Sequence, residues 1–332
     1  MGFAKRMSLD ISLKHVAAAA GVSRTTVSLA LRNHPRISLA TRKKIQALAK
    51  EMGYVPNAEV SKVMGMIRES KENRDRPVLG MITDYHHPLS KQGSPSDTWL
   101  GFAGRAATLG YTPEEFWVGD KKLSPRRLGD ILHARGIRGF VFSALLDASF
   151  AEKMDLTGFA CATIGISIHK PVLHRSSSDK YTNTLLCCQK LWDAGCRRIA
   201  LAIPSEQEDR VEHTFLSGYL IFHHLHRHQA WSTPLVDEGD WLPSRIADWV
   251  RQNKADGVIA AYSGLETVLP EIPVARVNVM NGIGPGMNQR HDRIAAGAVD
   301  LVDAQLRRNE TGIPELPKLM VIPGDWIPDL NS

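Results

Sequence analysis

A single glycine between two short amphipathic segments constrains this chain more than any other feature of its sequence. The stretch LKHVAAAAGVSRTTVSLALRNHPRIS places Gly21 between apolar residues that recur at helical spacing. Glycine adopts positive φ without the steric cost that other residues meet, so it can turn the chain sharply between two helices. Ser23 is placed to cap the second helix. The apolar faces are expected to contain Leu13, Val16, Ala17, Val27, Ala30 and Leu31.

The outer face of the second predicted helix is polar at its start. Arg24 and Thr25 open that helix, and Ser28 and Leu29 follow one turn later on the same side. An arginine side chain can fork to guanine, and hydroxyls can bond base edges or phosphates. A helix-turn-helix places its second helix in the DNA major groove, with its first residues on the bases. The spacing therefore predicts a DNA-reading helix.

A third helix is expected to follow this pair. The segment SLATRKKIQALAKEMGY begins at Ser38, a residue type that caps helix N-termini. Ile45, Leu48, Ala49 and Met52 recur at helical spacing and are expected to face inward. Together the three segments predict a small all-α head.

Positive charge is concentrated in this head. The whole sequence has a net charge of +6, yet residues 1–76 carry 15 Lys and Arg against 6 Asp and Glu. The other residues carry 26 against 29. A basic head on a mildly acidic body favours a polyanionic partner for the head. Charge alone leaves a solvated basic surface as the alternative.

The motif VAAAAGVSRTTVSLALR, followed by MGYVPN, resembles the N-terminal signature of LacI/GalR-type bacterial transcription regulators. The resemblance implies that residues 10–56 form a head that binds a palindromic double-stranded DNA operator, with the protein acting as a homodimer. The DNA contacts that it implies are Ser12, Leu13, Ser23, Arg24, Thr25, Ser28, Arg36, Ser38, Thr41, Tyr54 and Asn57.

Leu29 departs from the family pattern, which usually has arginine at this position. Leucine cannot read guanine by hydrogen bonds, so a typical family operator is not expected. Arg24 or Arg32 can supply the missing contact, or Leu29 can touch a thymine methyl group.

Residues 57–76 correspond to the hinge helix and linker of the family. The resemblance implies that two such helices, one from each subunit, wedge apolar side chains into the minor groove and kink it. Val60 and Val63 occupy the wedge positions, with Met64 or Met66 as substitutes. A plain charged linker is the competing interpretation.

From residue 77 the sequence alternates between short apolar runs and amphipathic segments. Six runs suit buried parallel strands: PVLGMIT, GFVFSA, CATIGIS, RIALAIP, GVIAAY and VARVNVM. Helical segments lie between them, and several end at glycine, as helix C-caps do. The alternation predicts an α/β body with doubly wound sheets and right-handed crossovers.

The body is also similar to the periplasmic-binding-protein-like domain of the same family. This similarity implies that residues 77–332 form two doubly wound parallel-sheet subdomains, with a small-molecule effector in the cleft between them. The chain is expected to cross between subdomains near residues 173, 288 and 318. The N-subdomain is then about 77–173 and 289–318, and the C-subdomain is about 174–288 and 319–330.

Ligands of such sheets bind beyond the carboxyl ends of the strands. This rule nominates Asp84, Tyr85, Ser143, Ser167, Ser205, Tyr262 and Asn281 as effector contacts. The segment EGDW matches a family segment whose tryptophan packs on a sugar face. Trp241 is therefore the first candidate contact, and a core or interface tryptophan is its alternative.

Three positions where the resemblance implies polar sugar contacts hold Phe215, Tyr262 and Met280 instead. The predicted effector, a sugar or sugar derivative, is therefore less polar than usual, bound differently, or lost. The segment from Tyr262 to Pro273 is also too short for a full crossover helix.

Catalytic motifs are missing from the sequence. It has no Gly-x-Ser-x-Gly, P-loop or His-Glu-x-x-His pattern, so we expect neither enzyme activity nor a cofactor or metal. His224 and His228 stand four residues apart without an evident acidic or cysteine partner.

The four cysteines lack Cys-x-x-Cys spacing and fit buried thiols of a cytoplasmic protein. No apolar run approaches the roughly 18 residues of a membrane span.

Two functions from different classes remain. The first is a dimeric operator-binding regulator that a small molecule controls, and the resemblance implies that it is a repressor. The second is a DNA-binding architectural or constitutive regulator whose α/β body dimerises without an effector. A response of stability and operator affinity to a small molecule would discriminate them.

Overall fold

A computed structural model describes residues 13–31, 37–52, 54, 76–90, 96–120, 123–226, 235–237, 242–279 and 284–328. The chain divides into two compact units, Met1–Asp75 and Arg76–Ser332. These units correspond to the predicted head with its linker and to the predicted α/β body.

The described part of the first unit contains the three predicted helices, α1 (Leu13–Ala20), α2 (Arg24–Leu31) and α3 (Leu39–Glu51). Gly21 has a φ of +65° between α1 and α2, as the turn requires. Ser38 caps α3, because its side chain accepts a hydrogen bond from the backbone N–H of Thr41. The local signals therefore predicted these three helices correctly, whereas the predicted hinge helix and linker lie outside the described residues.

A small apolar core holds the three helices together. Its buried members are Val16, Ala17, Val27, Ala30, Ile45 and Ala49. The Gln46 side chain adds a polar link, since its Nε2 donates to the carbonyl oxygen of Ala30 at 3.0 Å. This link ties α3 to the end of α2 and fixes the helix whose outer face is polar.

The first sheet of the body contains six described strands, all parallel, in the order β11-β5-β4-β3-β1-β2. The strands are β1 (Val78–Thr83), β2 (Thr112–Trp117), β3 (Gly139–Phe142), β4 (Ala160–Ile164), β5 (His174–Ser178) and β11 (Leu319–Ile322). The helices of this subdomain are α4 (Asp97–Thr108), α5 (Pro125–Ala134), α6 (Ser149–Glu152) and α12 (His291–Arg308).

The second sheet has six described strands in the order β12-β10-β9-β8-β6-β7, with the β10–β12 pair antiparallel and the others parallel. The strands are β6 (Ile199–Pro204), β7 (Leu235–Asp237), β8 (Gly257–Ala260), β9 (Val274–Arg276), β10 (Gly286–Asn288) and β12 (Asp325–Ile327). The helices are α7 (Lys180–Asp193), α8 (Ser205–Arg210), α9 (Thr214–Leu225), α10 (Pro243–Gln252) and α11 (Leu265–Val268).

Each sheet is buried on both faces, which explains the nearly continuous apolar runs in the sequence. In the first sheet, Phe140 and Phe142 pack on one face with α5, whereas Val141 packs on the other with α4 and α12. In the second sheet, Leu201 faces α7 and α9, and Ala202 faces α10. The α/β architecture predicted from the alternation is confirmed.

The predicted subdomain boundaries need correction at two of the three crossings. Strands β5 and β11 both belong to the first sheet, so residues 174–178 and 319–322 lie in the N-subdomain. The chain crosses after Ser178 and after Ile322, four to five residues later than expected. The strand β5, HRSSS, is polar although it is mostly buried, so it gave no apolar signal in the sequence.

The three crossings are bonded to one another. The N–H of Asp179 donates to the Ile322 carbonyl at 2.9 Å, and the N–H of Gly324 donates to Asn183 Oδ1 at 3.1 Å. Arg290, in the second crossing, pairs with Asp325 of the third at 2.6 Å. These contacts hold the two sheets together where the chain passes between them.

Other expectations have mixed outcomes. The short segment after Tyr262 forms the four-residue α11, as its length predicted. The helices α6, α8 and the 18-residue α12 were not predicted, nor were the strands β2, β5, β7, β10, β11 and β12. No helix within the described ranges is both long and apolar enough to cross a membrane.

Candidate nucleic-acid interface and ligand cleft

The exposed start of α2 is the candidate nucleic-acid interface. Arg24 and Thr25 are exposed in its first turn, while Ser28 and Leu29 are half-buried one turn later. Ser23 is the structural cap of this helix, because its Oγ accepts from the N–H of Thr26 at 3.1 Å. The side chains best placed to reach outward are therefore those of Arg24 and Thr25.

The charge of the head supports the same surface. Its described residues hold six basic side chains and one acidic one. Lys43 and Lys44 are exposed in α3, and Lys14 is exposed in α1. A surface with this imbalance attracts phosphates through long-range electrostatics.

Other predicted DNA contacts in the described head have structural roles as well. Leu13 and Tyr54 are half-buried and pack against the apolar core of the three helices. Ser38 caps α3, and its Oγ also lies 2.8 Å from the Oγ1 of Thr41. These roles leave their DNA contacts as predictions. The predicted contacts that lie outside the described residues are Ser12, Arg32, Arg36, Asn57, Val60 and Val63.

Two carboxylates bind the loops that follow β1 and β3. These loops form the rim of the N-subdomain at the proposed cleft. Asp84, at the end of β1, accepts hydrogen bonds from the N–H groups of Leu146 and Asp147 at 2.9 and 2.8 Å. Glu115, on β2, accepts from the N–H groups of Leu89 and Ser90, both at 2.8 Å. These bonds hold the loops that follow β1 and β3. The strand-end rule nominated Asp84 as an effector contact, but the anchoring of the loop by Asp84 and the role of Glu115 were not indicated by the sequence.

Tyr85 lies on this rim, close to the opposite subdomain. The Trp117 Nε1 donates to the Tyr85 carbonyl at 2.6 Å and fixes its backbone. Burial raises the pKa of the Tyr85 phenol, Asp84 raises it further, and Arg210 of the C-subdomain opposes both. Arg210 itself donates from Nη2 to the Leu145 carbonyl at 2.9 Å, so the two rims touch here.

Serine hydroxyls lie at other strand ends. Ser143 and Ser167 are buried after β3 and β4, and within the described part of the chain neither Oγ has a hydrogen-bond partner. Ser205 is the half-buried first residue of α8, and Tyr262 is 48% exposed after β8. These four residues occupy the positions that the strand-end rule predicts, and their effector contacts remain predictions.

Phe215 is not at an open surface, contrary to its place in the predicted site. It is 1% exposed on the inner face of α9 and belongs to the core of the C-subdomain with Tyr219 and Leu201. Ile166 of the N-subdomain joins the same core. A large aromatic side chain gains more from this burial than from facing water, which is why it packs inward.

The remaining effector candidates, Trp241, Met280 and Asn281, lie outside the described residues, as does His228.

Among the residues that are described, no group of three or more His, Cys, Asp or Glu could hold a metal ion. The four cysteines are buried and free, and burial raises the pKa of Cys161 and of Cys187 to about 12. Such thiols stay protonated and unreactive.

Several residues at the meeting of the rims were missed from the sequence. Glu212 of the C-subdomain lies 3.3 Å from His169 Nδ1 and 3.8 Å from Arg175 Nη1 of the N-subdomain. The stretch SEQEDRVEH, directly after β6, carries the charges that could have indicated a functional loop. What it could not indicate is the partner side chains, because they lie about 40 residues earlier in the chain.

A family model described as "Bacterial regulatory proteins, lacI family" matches residues 12–57, which include α1, α2 and α3. The N-terminal part of this chain therefore matches the lacI family. The match confirms the resemblance that the glycine-centred motif indicated, and it covers the surface on which Arg24 and Thr25 are exposed.

Curated relatives of this chain are regulators by name. The HTH-type transcriptional repressor CytR of Escherichia coli strain K12 is 29% identical over 224 residues, which are 65% of this chain and 60% of CytR. The HTH-type transcriptional regulator MalR of Staphylococcus xylosus is 36% identical over 138 residues, 40% of this chain and 37% of MalR. The match thus spans 60% of the length of the first relatives.

Solved structures share the fold. The lac repressor dimer bound to operator and the anti-inducer ONPF has a TM-score of 0.56 at 18% identity, over 96% of this chain and 98% of that one. A complex of the transcriptional regulator CelR with cellobiose has a TM-score of 0.51 at 18% identity, over 95% and 98%. At this identity the likeness establishes the two-part architecture, with a helical head and an α/β body of two sheets.

Proposed function

We propose that this chain is a sequence-specific DNA-binding transcription regulator of the lacI family. It acts as a homodimer, and we propose that it is a repressor. The observation that carries the proposal is the start of α2. Arg24 and Thr25 are exposed there on a helix that the Ser23 cap and the apolar core of the head hold in place. A rigid helix with exposed base-reading groups is what major-groove recognition requires.

Charge supports the same proposal. The basic head supplies phosphate contacts, which position the helix, and Arg24 supplies a bidentate contact that specifies a base. The predicted wedge residues Val60 and Val63 would add the minor-groove contact. The relatives by name regulate transcription, and we assign no enzyme activity to this chain. Its place of action is the nucleoid in the bacterial cytoplasm.

The body is proposed to bind a small-molecule effector in the cleft between its sheets. Two sheets whose strand ends face one cleft form the usual ligand position of this architecture. The solved relatives with cellobiose or the anti-inducer ONPF favour a carbohydrate-related ligand. Trp241 is the proposed stacking residue, and Tyr85 and Tyr262 are proposed as further contacts.

A second candidate function has its own supporting observation. Ile166 of the N-subdomain packs into the core that contains Phe215 of the C-subdomain, so the two halves share apolar surface in this structure. A body that fills its own cleft needs no ligand to stay closed. Under this alternative the chain is a constitutive or architectural DNA-binding protein that dimerises without an effector.

Operator selection with the full chain tests the shared part of both functions. Rounds of enrichment from a randomised duplex library should yield a two-fold symmetric sequence, because a symmetric dimer reads two half-sites. Enrichment without any consensus would overturn sequence-specific recognition.

A thermal-shift screen of sugars and sugar acids then separates the two functions. An effector should raise the melting temperature and change the affinity for the selected operator, since ligand binding stabilises the state that it prefers. Trp241→Ala should abolish this stabilisation and leave ligand-free operator binding within a few-fold. A body that responds to no compound while the chain still binds its operator would favour the constitutive function.

A further inference from the structure

The Glu212 carboxylate reaches across the cleft to two basic side chains of the other subdomain. Its Oε1 lies 3.3 Å from His169 Nδ1 and 3.8 Å from Arg175 Nη1. His169 follows β4 and Arg175 lies on β5, so both belong to the N-subdomain. The N-subdomain thus presents an imidazole and a guanidinium to one anionic group.

Arg175 is poorly satisfied for a buried cation. Its side chain is only 13% exposed, and its Nη2 donates to the Ile168 carbonyl at 3.3 Å. Its Nε has no hydrogen-bond partner within the described residues. A guanidinium has five N–H donors, and a buried charge is costly unless these are paired. The ion pair with Glu212, at 3.8 Å, is long and leaves much of this cost in place.

A neighbouring hydroxyl is unsatisfied as well. Ser167 belongs to the same loop as Ile168 and His169, and it is more than nine-tenths buried. Its Oγ has no partner in the described part of the chain. Ser167 therefore carries a spare hydrogen-bond donor in the loop whose Ile168 carbonyl bonds to Arg175, and Arg175 carries another at its Nε.

Glu212 holds its position at a cost in backbone conformation. Its φ is +54°, and that of the next residue, His213, is +55°, both in the left-handed region that non-glycine residues avoid. The Glu212 side chain is 55% exposed, so water competes for its carboxylate. Arg210, two residues earlier, keeps this turn against the N-subdomain through its bond to Leu145.

We propose that His169 and Arg175 form an anion-binding site that Glu212 occupies from the opposite subdomain, and that an effector with a carboxylate or phosphate group displaces Glu212. This inference rests on the proposed control of the chain by a small molecule and names the chemical class of that molecule. An external anion can approach the guanidinium closely, in a bidentate geometry that the tethered Glu212 does not reach. Its binding would release the link between the two subdomains.

Glu212→Gly is the decisive variant. Glycine keeps the left-handed backbone and removes the internal carboxylate, so the site becomes vacant. Melting temperatures are measured against increasing gluconate, glucose 6-phosphate, inorganic phosphate and neutral glucose, with chloride at matched ionic strength as the reference. The variant should respond to at least one anion at roughly one tenth or less of the concentration that the parent needs. A response to gluconate alone indicates a carboxylate site, whereas a response to both phosphates indicates a phosphate site.

Three further variants make the result specific. Asp209→Asn removes a neighbouring exposed carboxylate whose ion pair, among the residues described, is with His213 of the same subdomain, and it should behave like the parent. Adding His169→Gln or Arg175→Met to Glu212→Gly should remove the anion response. The His169 variant alters an exposed side chain and remains informative if the Arg175 variant does not fold.

The proposal is overturned if Glu212→Gly responds to anions no better than the parent, or if glucose stabilises it as strongly as gluconate. These readouts do not involve DNA. A chain that binds its selected operator but shows no anion response would refute only this site. A chain that responds to anions without binding any operator would refute only the proposed regulatory function.

Discussion

Glu208, which has no exposed surface, accepts a hydrogen bond at 3.0 Å from the backbone N–H of Leu216 in the first turn of α9. Helix α9 has no side-chain cap from its own N-cap residue, His213, so this carboxyl group satisfies one of its free N–H groups. The second carboxyl oxygen has no partner among the described residues. Burial raises the pKa of Glu208 from 4.5 to about 7.

The raised pKa predicts the direction of a pH effect on stability. Between pH 4.5 and about 7 the folded chain holds a proton on Glu208 that the unfolded chain has lost, so the free energy of unfolding falls as pH rises. Glu208→Gln keeps a neutral group that accepts from Leu216. It should therefore unfold less readily than the parent at pH 8, by on the order of 2 kcal/mol, and equally at pH 4.

Urea unfolding of both proteins at several pH values checks this prediction. Comparing each variant with the parent cancels the effects of other titrating groups. Glu206→Gln, an exposed position on the same short helix, is the matched control and should follow the parent at every pH. A constant difference between Glu208→Gln and the parent from pH 4 to pH 8 would contradict the assignment.

Arg24 should determine sequence preference at one position of each half-site. It is exposed in the first turn of α2, where a guanidinium can reach a guanine edge. Arg24→Ala should cost about 1–3 kcal/mol on the selected operator and much less on DNA with that base pair replaced. Lys50→Ala, exposed at the end of α3, serves as the control for loss of one positive charge. Equal weakening on every sequence would make Arg24 a phosphate contact instead.

Gly101 should tolerate no side chain. A Cβ at this position in α4 would collide with the carbonyl oxygen of Asp292 at the start of α12. Gly101→Ala should lower the free energy of unfolding by about 1–3 kcal/mol, because two packed helices would have to separate. Gly104→Ala lies one turn later, where no described atom is within 4 Å, and it should leave stability unchanged or slightly raised. Similar unfolding midpoints for both variants would refute the close helix contact.

The head could be predicted from the sequence because its signals are local. Gly21 indicates the turn, Ser38 indicates a helix start, and the apolar spacing indicates the inner faces. Each of these signals acts within a few residues of the structure that it specifies. Strands of the body were predicted for the same reason wherever they were continuously apolar, as in β6 and β8.

Elements of the body whose signals depend on tertiary contacts were missed. Helix α12 has 18 residues, but its buried face mixes apolar residues with Gly297, Asp303 and Gln305, and the side chain of its N-cap residue, Arg290, makes no capping bond. Strand β5 reads as a polar loop, yet it is paired on both sides, with β4 and β11. In each case burial by distant segments overrides weak local preference.

The cleft was the least predictable part, because its contacts join distant residues. The strand-end rule selected Tyr85 and Ser143, which directly follow strands, but it could not show that Arg210 bonds to the Leu145 carbonyl 65 residues earlier. It also could not show that Phe215 is buried. Sequence indicates which residues follow each strand, whereas their partners depend on how the two sheets are packed.

An equilibrium titration of the full chain against its selected operator at several salt concentrations tests the central claim most directly. Fluorescence anisotropy would follow a labelled palindromic duplex and a scrambled duplex of the same composition. The account predicts at least a thousandfold preference for the operator and a steep loss of affinity with salt, with a log–log slope of about 0.9 for each phosphate contacted. Equal affinity for the two duplexes, or a slope near zero, would contradict it.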